Sequence, residues 1–304
     1  MDPLSDVLSV LKVRSVLSAR FEGRGLWAMR FPAYSHIKFG GVLEGSFSLW
    51  VEGSVAPVKL NAGDFYLLTN GEAYCSASDP MLPPLDGRLI FNTHKDADGV
   101  VRYGDGGDRV VAAGGRFTFD DATSDILLKQ LPPLIHIPAA SEGAGPLGAI
   151  LDLLSYETKT VQPGSAISAG SIANVVLVHI LRAYLAASPQ PIGWLGAIMD
   201  ARIGVALTLM HGDLARRWKV EDLALAVGMS RTAFTQRFKS LVGLPPLDYL
   251  MRWRMTVART ELRKGDKSLS AIAESVGYAS DTAFNSAFKR TIGQSPGRYR
   301  LGNS

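Results

Sequence analysis

Two stretches of the sequence place short hydrogen-bonding side chains, each set ending in a lysine, where an α-helix would align them on one face. The two sets, both spaced i, i+3, i+4 and i+7, are Thr232, Thr235, Gln236 and Lys239, and Thr282, Asn285, Ser286 and Lys289. That is the spacing of one helix face. Short donors and acceptors suit the base edges of the DNA major groove, and a lysine near the helix end suits a phosphate. A face that only meets solvent would more often carry Glu and Lys, so we expect both faces to contact DNA.

These stretches belong to an internal repeat with an offset of 50 residues. Nine residues of the first copy recur at this offset, and they are Ser230, Thr232, Ala233, Phe234, Phe238, Lys239, Gly243, Pro246 and Tyr249. Just upstream, Ala224, Val227 and Gly228 recur at an offset of 49. Self-similarity over this length indicates one supersecondary unit that is present twice.

Each copy has the pattern of two short helices joined by a tight turn. In the first copy an apolar stripe precedes Gly228, which can adopt the left-handed conformation that ends a helix, and Ser230 can cap the next helix. Gly277 and Ser280 take these positions in the second copy. Phenylalanines spaced i, i+4 in each second helix should face the core. The sequence therefore predicts helix-turn-helix motifs over residues 220–242 and 269–292.

A helix of about twenty residues is predicted between the two motifs, from Pro245 to Lys264. At 1.5 Å per residue its length is about 30 Å, which is close to the roughly 34 Å of one turn of B-DNA. Two recognition helices held apart by such a helix could enter successive major grooves on one face of a duplex.

The charge of the 304-residue chain is distributed unevenly. From residue 200 onward there are 17 Lys+Arg against 9 Asp+Glu, a net charge of +8, whereas the residues before it carry −4. This asymmetry favours an anionic partner for one domain, and nucleic acid is the better match when the cations accompany compact helices. A hydrophobic share of 47% and a charged share of 20% exclude a largely disordered chain.

The repeat resembles a known family. Residues 268–300 (SLSAIAESVGYASDTAFNSAFKRTIGQSPGRYR) are similar to the C-terminal signature of AraC/XylS-type bacterial transcription regulators. Residues 218–255 (WKVEDLALAVGMSRTAFTQRFKSLVGLPPLDYLMRWRM) resemble the other half of the same domain. The resemblance implies sequence-specific binding of double-stranded DNA by two helix-turn-helix motifs and control of transcription. RNA polymerase is then a further expected partner.

The resemblance also implies roles for individual residues. By position, the expected contacts with bases are Thr232, Thr235, Gln236, Asp281, Thr282, Asn285 and Ser286. The expected contacts with phosphates are Arg237, Lys239, Lys289 and Arg290. Asp281 has two interpretations, because a carboxylate there could accept from a cytosine amino group or could favour the positive N-terminus of the helix.

Residues 7 to about 130 are predicted to be rich in β-strands. Residues 46–51 alternate apolar and polar side chains, and Gly63-Asp64 marks a turn before an apolar run. The phrase PVKLNAGDFYLL at 57–68 resembles a cupin-like barrel, and residues 114–139 are similar to N-terminal domains of the same kind of regulator. The mouth of such a barrel is a natural pocket for a small-molecule effector. The expected lining residues are His36, Phe47, Trp50 and Tyr74.

A metal-dependent cupin enzyme with a DNA-binding tail is the alternative. Metal-binding cupins use a His-x-His pair, a Glu and a further His, which together suit a divalent transition metal. Here His36 is followed by Ile37 and Lys38, and Tyr74 stands at the place of the final histidine. We therefore expect no metal, no cofactor and no enzymatic activity. A non-specific architectural DNA binder is a further alternative, whose footprint would spread along the DNA instead of localising.

The sequence predicts an α+β chain of four segments. These are a cupin-like β-barrel over 1–140, a helical dimerisation segment over 141–187, a linker over 188–198, and an all-α DNA-binding domain over 199–304. The apolar helices predicted at 146–160 and 165–187 would support a homodimer, which the family resemblance also favours. Cys75 is the one cysteine, and the acidic start of the chain is unlike a signal peptide. We expect a cytoplasmic protein without a membrane partner.

Overall fold

The computed structural model describes residues 2–10, 14–53, 56–118, 131–159, 163–187 and 193–301. The chain forms two compact units. The sheet unit is Val13–Pro189, and the helical unit combines Met1–Lys12 with Gln190–Ser304. Each unit has a buried apolar core of its own.

The described part of the sheet unit contains two mixed sheets of short strands. The strands are β1 (Arg14–Arg24), β2 (Ala28–Phe31), β3 (Ile37–Glu44), β4 (Ser46–Val51), β5 (Val58–Asn61), β6 (Phe65–Leu68), β7 (Tyr74–Ala77), β8 (Leu85–Asp86), β9 (Val100–Tyr103), β10 (Arg109–Thr118) and β11 (Leu134–Ile137). The larger sheet has the order β11-β6-β3-β10-β1-β9, and the smaller has the order β5-β4-β7-β2-β8. The pairs β1–β9 and β2–β8 are parallel, whereas the other pairs are antiparallel.

The described strands do not close into the β-barrel that the sequence predicts. The described strands form two separate hydrogen-bonded sheets, with β11 and β9 at the edges of one and β5 and β8 at the edges of the other. The sheets share one apolar core, to which Phe21 and Val42 contribute from the larger sheet, and Met29 and Leu49 from the smaller. Because two sheets can bury their inner faces against each other, this core does not need a closed hydrogen-bond ladder.

Strand β4 shows how the sequence pattern selects the inner face. Phe47, Leu49 and Val51 are buried, while the residues between them, including Trp50, are only partly covered. A strand sends successive side chains to opposite faces, so the alternation seen in the sequence at 46–51 separates an inner from an outer face.

The turn predicted at Gly63-Asp64 joins β5 to β6 and is held by a buried carboxylate. Gly63 has a φ of +92°, which glycine adopts without steric strain. Asp64 accepts hydrogen bonds from the backbone N–H groups of Asn61 and Ala139, and its Oδ2 lies 2.9 Å from Nε2 of His136. Burial alone would raise the pKa of the Asp64 carboxyl, but these hydrogen bonds outweigh it and lower the pKa.

Replacing Asp64 with alanine should lower the free energy of unfolding of the sheet unit by about 2–4 kcal/mol, because three hydrogen bonds to a buried, charged acceptor are lost. Since the folded-state pKa is lowered, the contribution of Asp64 is present above the carboxyl pKa of the unfolded chain and is lost as the pH falls through the folded value. Chemical denaturation of the full chain at neutral and acidic pH measures both effects. The exposed Asp105→Ala is the matched control. Equal losses for the two variants at neutral pH would contradict this role.

Two long helices pack on the larger sheet, and a short helix packs on the smaller one. The helices in the described part of the sheet unit are α2 (Gly87–Thr93), α3 (Gly145–Lys159) and α4 (Ser165–Ala187). Helix α4 packs on α3 and on strands β1, β6 and β11. Its residues Ile172, Val176, Ile180 and Ala183 are buried, so the apolar face predicted for this segment is covered by its own chain. Within the described residues, the stretch Gly170–Ala187 is the one single helix long and apolar enough to cross a membrane, and 44% of it is buried inside the protein.

The described residues of the helical unit form α-helices joined by short turns. They are α1 (Pro3–Val10), α5 (Gly193–Met199), α6 (Ile203–Gly212), α7 (Val220–Ala226), α8 (Arg231–Val242), α9 (Pro246–Lys264), α10 (Leu269–Ser275), α11 (Asp281–Ile292) and α12 (Pro296–Leu301). The motifs expected over 220–242 and 269–292 are the pairs α7–α8 and α10–α11. Helix α9 begins one residue later than expected, because Pro245 precedes it with an extended ψ of 150°.

Two segments differ from the domain division expected from the sequence. Helix α1 lies in the helical unit, where it contacts α5, α6 and α9 and buries Leu4 and Val7. The expected linker 188–198 is helical from Gly193 onward, and Trp194 is 1% exposed, while 188–192 lie outside the described residues. Short helices such as these are stabilised by packing against the rest of the unit, which a local sequence pattern does not report.

Candidate nucleic-acid interface

The second helices of the two motifs begin and end in the same way. The hydroxyl of Ser230 accepts from the backbone N–H three residues later at 3.3 Å, and that of Ser280 does so at 3.2 Å. Each serine therefore caps its helix. Gly243 ends α8 with a φ of +81° and Gly293 ends α11 with a φ of +87°, the left-handed conformation that glycine favours. Both helices are thus fixed in length by local chemistry.

The turns inside the two motifs are also equivalent. Gly228 has a φ of +64°, and the residue after it donates its N–H to the carbonyl of Ala224 at 2.9 Å. In the second motif Gly277 has a φ of +81°, and the next residue donates to the carbonyl of Ala273 at 2.9 Å. This hydrogen bond closes the C-terminus of the first helix and sets the direction of the second.

Aromatic packing repeats with the same geometry. The ring centroids of Phe234 and Phe238 are 5.7 Å apart with planes at 57°, and their counterparts in α11 are 5.7 Å apart at 53°. Tyr249 meets Phe238 edge-on at 5.8 Å, and Tyr299 makes the equivalent contact at 5.7 Å. The repeat in the sequence is therefore a repeat in packing, and it turns the opposite face of each recognition helix outward.

The outward faces carry the side chains predicted to read bases. The exposed members are Thr232 and Gln236 on α8, and Asp281, Thr282, Asn285 and Ser286 on α11. Thr235 is half-buried, and its hydroxyl donates to the carbonyl of Arg231 at 2.8 Å. The hydroxyl hydrogen of Thr235 is therefore used within α8, so Thr235 can offer a partner its oxygen as an acceptor and its methyl group.

The predicted phosphate contacts differ in how free their charges are. Lys239, Lys289 and Arg290 are exposed near the ends of the recognition helices. Arg237 instead donates from Nε to Oδ2 of Asp200 at 3.0 Å. Asp200 also accepts two backbone N–H groups at the start of α6, at 2.9 and 3.0 Å. The guanidinium of Arg237 is therefore held against the scaffold and its charge is partly neutralised.

Asp281 is the first residue of α11 and links the two helices of the second motif. Its Oδ2 accepts a hydrogen bond from the hydroxyl of Ser270 on α10 at 2.6 Å. A carboxylate at this position also favours the positive end of the helix dipole. The arrangement fits the second of the two interpretations raised by the sequence.

The sheet unit contains a cavity of about 440 Å³ between its sheets and α2. Of the four residues expected to line a pocket, His36 and Tyr74 do so. Phe47 is 5% exposed and lies in the core behind the cavity wall, 6.4 Å from the ring of Tyr66. Trp50 is on the outer face of β4, because the two-residue period of the strand separates it from Phe47.

Cations in the cavity wall were missed by the sequence analysis. Lys38 Nζ donates to the hydroxyl of Tyr74 at 3.0 Å. Burial, together with the charges of Arg88 and Arg116, lowers the pKa of Lys38 to about 8. Burial, together with the charges of Lys38, Arg116 and Arg88, lowers the pKa of His36 to about 4. The imidazole is therefore neutral at pH 7. The spacing of His36 and Lys38 could have placed both on one side of a strand, whereas Arg88 comes from α2 and gives no local signal.

The residues of this cavity do not fit a transition metal. Over the described ranges, no group of three or more His, Cys, Asp or Glu side chains is placed to hold a metal ion. Lys38 and Tyr74, which the sequence pattern places where a metal-binding cupin would have histidines, are hydrogen-bonded to each other. A protonated ammonium group has no lone pair to donate and repels a cation.

Similarity to known proteins extends along the chain. A family model described as Cupin matches residues 2–186, and one described as a helix-turn-helix domain matches residues 223–302. A Streptomyces lividans protein described as an AraC-like transcription regulator is 42% identical over 301 residues, covering 99% of this chain and 98% of that protein. The HTH-type transcriptional regulator AlkR of Acinetobacter baylyi is 30% identical over 305 residues, covering 99% of each.

Two solved structures are also similar. The DNA-binding domain of AdpA, in complex with a target DNA, has a TM-score of 0.32 and 33% identity, covering 33% of this chain and 89% of that chain. ToxT from Vibrio cholerae has a TM-score of 0.36 and 12% identity, covering 95% of this chain and 98% of that chain. From the family models and the whole-length relatives, the chain belongs to the AraC family of DNA-binding transcription regulators, with a Cupin-family N-terminal part and a C-terminal helix-turn-helix domain.

Proposed function

We propose that this protein regulates transcription by laying the exposed faces of α8 and α11 in successive major grooves of one DNA duplex. The observation that carries the proposal is the duplication of one motif with one orientation. In both copies the phenylalanine pair is buried and the face of short polar side chains is outward. If these faces only met solvent, nothing would require both copies to carry the same kind of polar side chain in the same orientation.

Direct base contacts are assigned to the uncharged members of the two faces. Hydroxyl and amide groups of this size can donate to and accept from base edges without a large conformational cost. The residues are Thr232, Thr235 and Gln236 on α8, and Thr282, Asn285 and Ser286 on α11. We assign Asp281 mainly to the link between α10 and α11, because its carboxylate is engaged by Ser270.

Phosphate contacts are assigned to Lys239, Lys289 and Arg290. Contacts of this kind fix the register of a protein on DNA and carry little sequence information. Arg237 should contribute less than these three, because Asp200 already neutralises part of its charge.

Helix α9 sets the separation of the two motifs. It has 19 residues, which at 1.5 Å per residue gives about 28 Å. The spacing of successive major grooves on one face of B-DNA is about 34 Å. The length of α9 is therefore about 6 Å shorter than the groove spacing, a difference that the width of the recognition helices can cover.

The sheet unit is proposed to hold a small-molecule effector in its cavity, and the α3–α4 pair is proposed to form a homodimer. Leu153, Tyr156 and Val175 support the dimer, because they are large apolar side chains that stay 45–59% exposed on these helices. A dimer would present four motifs to tandem or inverted half-sites. Such regulation of transcription places the protein in the cytoplasm. It also makes RNA polymerase a partner.

Thr235→Ala and Asn285→Ala should each weaken binding to the preferred site by about 1–3 kcal/mol while changing binding to a scrambled duplex much less. The physical reason is the loss of hydrogen bonds to bases without loss of charge. Binding of the full chain to a selected site and to a scrambled site at one salt concentration measures this. Thr208→Ala is the matched control, because Thr208 is exposed like Asn285 and its hydroxyl donates to its own helix like that of Thr235. Equal losses on the two duplexes would reject base reading.

Lys289→Ala should weaken binding to every duplex by a similar factor. Removing one phosphate contact should also reduce the magnitude of the slope of log affinity against log salt concentration by about 1. A salt titration of affinity measures the slope, with Lys59→Ala as the control because Lys59 is an exposed lysine of the sheet unit. An unchanged slope for Lys289→Ala would place this lysine away from the phosphates.

A further inference from the structure

The cavity of the sheet unit has one sign of charge. Its lining contains three basic side chains, Lys38, Arg88 and Arg116, and none of its described lining residues is an aspartate or glutamate. Aromatic rings form much of the remaining wall. Apolar walls with a few converging polar groups, at a volume of about 440 Å³, are typical of a small-molecule site.

The ammonium group of Lys38 is enclosed by aromatic rings. Its Nζ lies 4.6 Å from the ring centroids of Tyr34 and Tyr74 and 5.1 Å from that of Phe31. Its charged neighbours are Arg88 and Arg116, and no carboxylate of the described chain contributes to its pKa. A desolvated charge without an opposite charge costs free energy. Lys38 therefore stands in the cavity as a cation that still lacks its counter-ion.

The strand register increases this cost. Lys38 on β3 is paired directly opposite Arg116 on β10. Like charges directly opposite each other destabilise a sheet, and Arg88 adds a third positive charge from α2. Proteins tolerate such local conflicts mainly at functional sites. An anion bound among the three cations would remove the conflict.

A buried hydroxyl group supplies an independent observation. The oxygen of Tyr34 is buried and has no hydrogen-bond partner among the residues that the structure describes. Tyr34 is part of the cavity wall. Buried polar groups are nearly always hydrogen-bonded, so a ligand oxygen in the cavity would complete the hydrogen bonding of this residue.

We propose that the cavity binds a small organic carboxylate with a flat apolar body. The carboxylate pairs with the Lys38 ammonium and the Arg116 guanidinium and accepts a hydrogen bond from the Tyr34 hydroxyl. The apolar body packs on the rings of Phe31 and Tyr74. The inference rests on the effector role proposed for this cavity and names the chemical class of that effector.

Calorimetric titration of the full chain with 2-naphthoate and with its neutral counterpart 2-naphthamide tests the proposal. The acid should bind at least about tenfold more tightly than the amide, which is the size expected when a charge-assisted hydrogen bond is lost. Equal affinities for the acid and the amide, or no binding of the acid up to its solubility limit, would overturn the proposal.

Lys38→Met should weaken naphthoate binding about tenfold and leave naphthamide binding unchanged. Lys59→Met is the matched control, because Lys59 is exposed on β5, and it should bind both probes like the unsubstituted chain. If Lys38→Met does not fold, Arg116→Gln replaces an exposed cavity residue and should weaken naphthoate binding several-fold. Naphthoate affinity that is unchanged in the folded Lys38 or Arg116 variant would overturn the assignment.

DNA affinity of the same preparations, measured without a probe, separates this inference from the proposed function. If the unsubstituted chain binds naphthoate no more tightly than naphthamide but keeps sequence-specific DNA binding, the anion site alone is overturned. Naphthoate binding that depends on Lys38, in a chain without sequence-specific DNA binding, supports the anion site and rejects the proposed DNA reading. A change in DNA affinity when naphthoate is added supports the effector role of the cavity.

Discussion

DNA recognition by this protein depends on the burial of one aromatic pair in each recognition helix. Phe234 and Phe238 are 0% exposed, as are Phe284 and Phe288. Burying such a ring contributes about 1.5–3 kcal/mol, whereas the small polar side chains on the opposite face contribute little to folding. The phenylalanines therefore fix the rotation of each helix about its axis. Because the outward residues contribute little to folding, they can vary to fit DNA without loss of stability.

The sheet unit separates stability from binding in a similar way. Its two sheets bury a continuous aromatic and aliphatic core, and the cavity interrupts that core with charged groups. Lys38, Arg88 and Arg116 do not stabilise one another, because they carry the same charge. The hydrogen bond from Lys38 to Tyr74 orients the ammonium group without neutralising it. Under the two proposals, the cations of the helical unit meet DNA and the cations of the sheet unit meet a small organic anion.

The helix-turn-helix motifs could be predicted from the sequence because their signals are local. Caps such as Ser280, turn glycines such as Gly277, and the repeat itself all lie within a few residues of the structure they specify. The sequence did not show that the strands form two separate sheets, that α1 packs in the helical unit, or that α5 is a helix. These features depend on contacts between segments that are distant in the sequence. The alternation along β4 was visible in the sequence, but the sequence did not show which face of β4 lies toward the core. Trp50 was therefore expected to line the cavity, whereas it lies on the outer face. The convergence of Arg88 with Lys38 likewise appears only when α2 and β3 are brought together.

Hydroxyl-radical footprinting of the full chain on a selected DNA site tests most directly whether α8 and α11 enter successive major grooves. We predict paired protected patches on one face of the duplex, with their centres about 10 base pairs apart. A single protected patch for the two motifs, or two patches on opposite faces of the duplex, would contradict this arrangement.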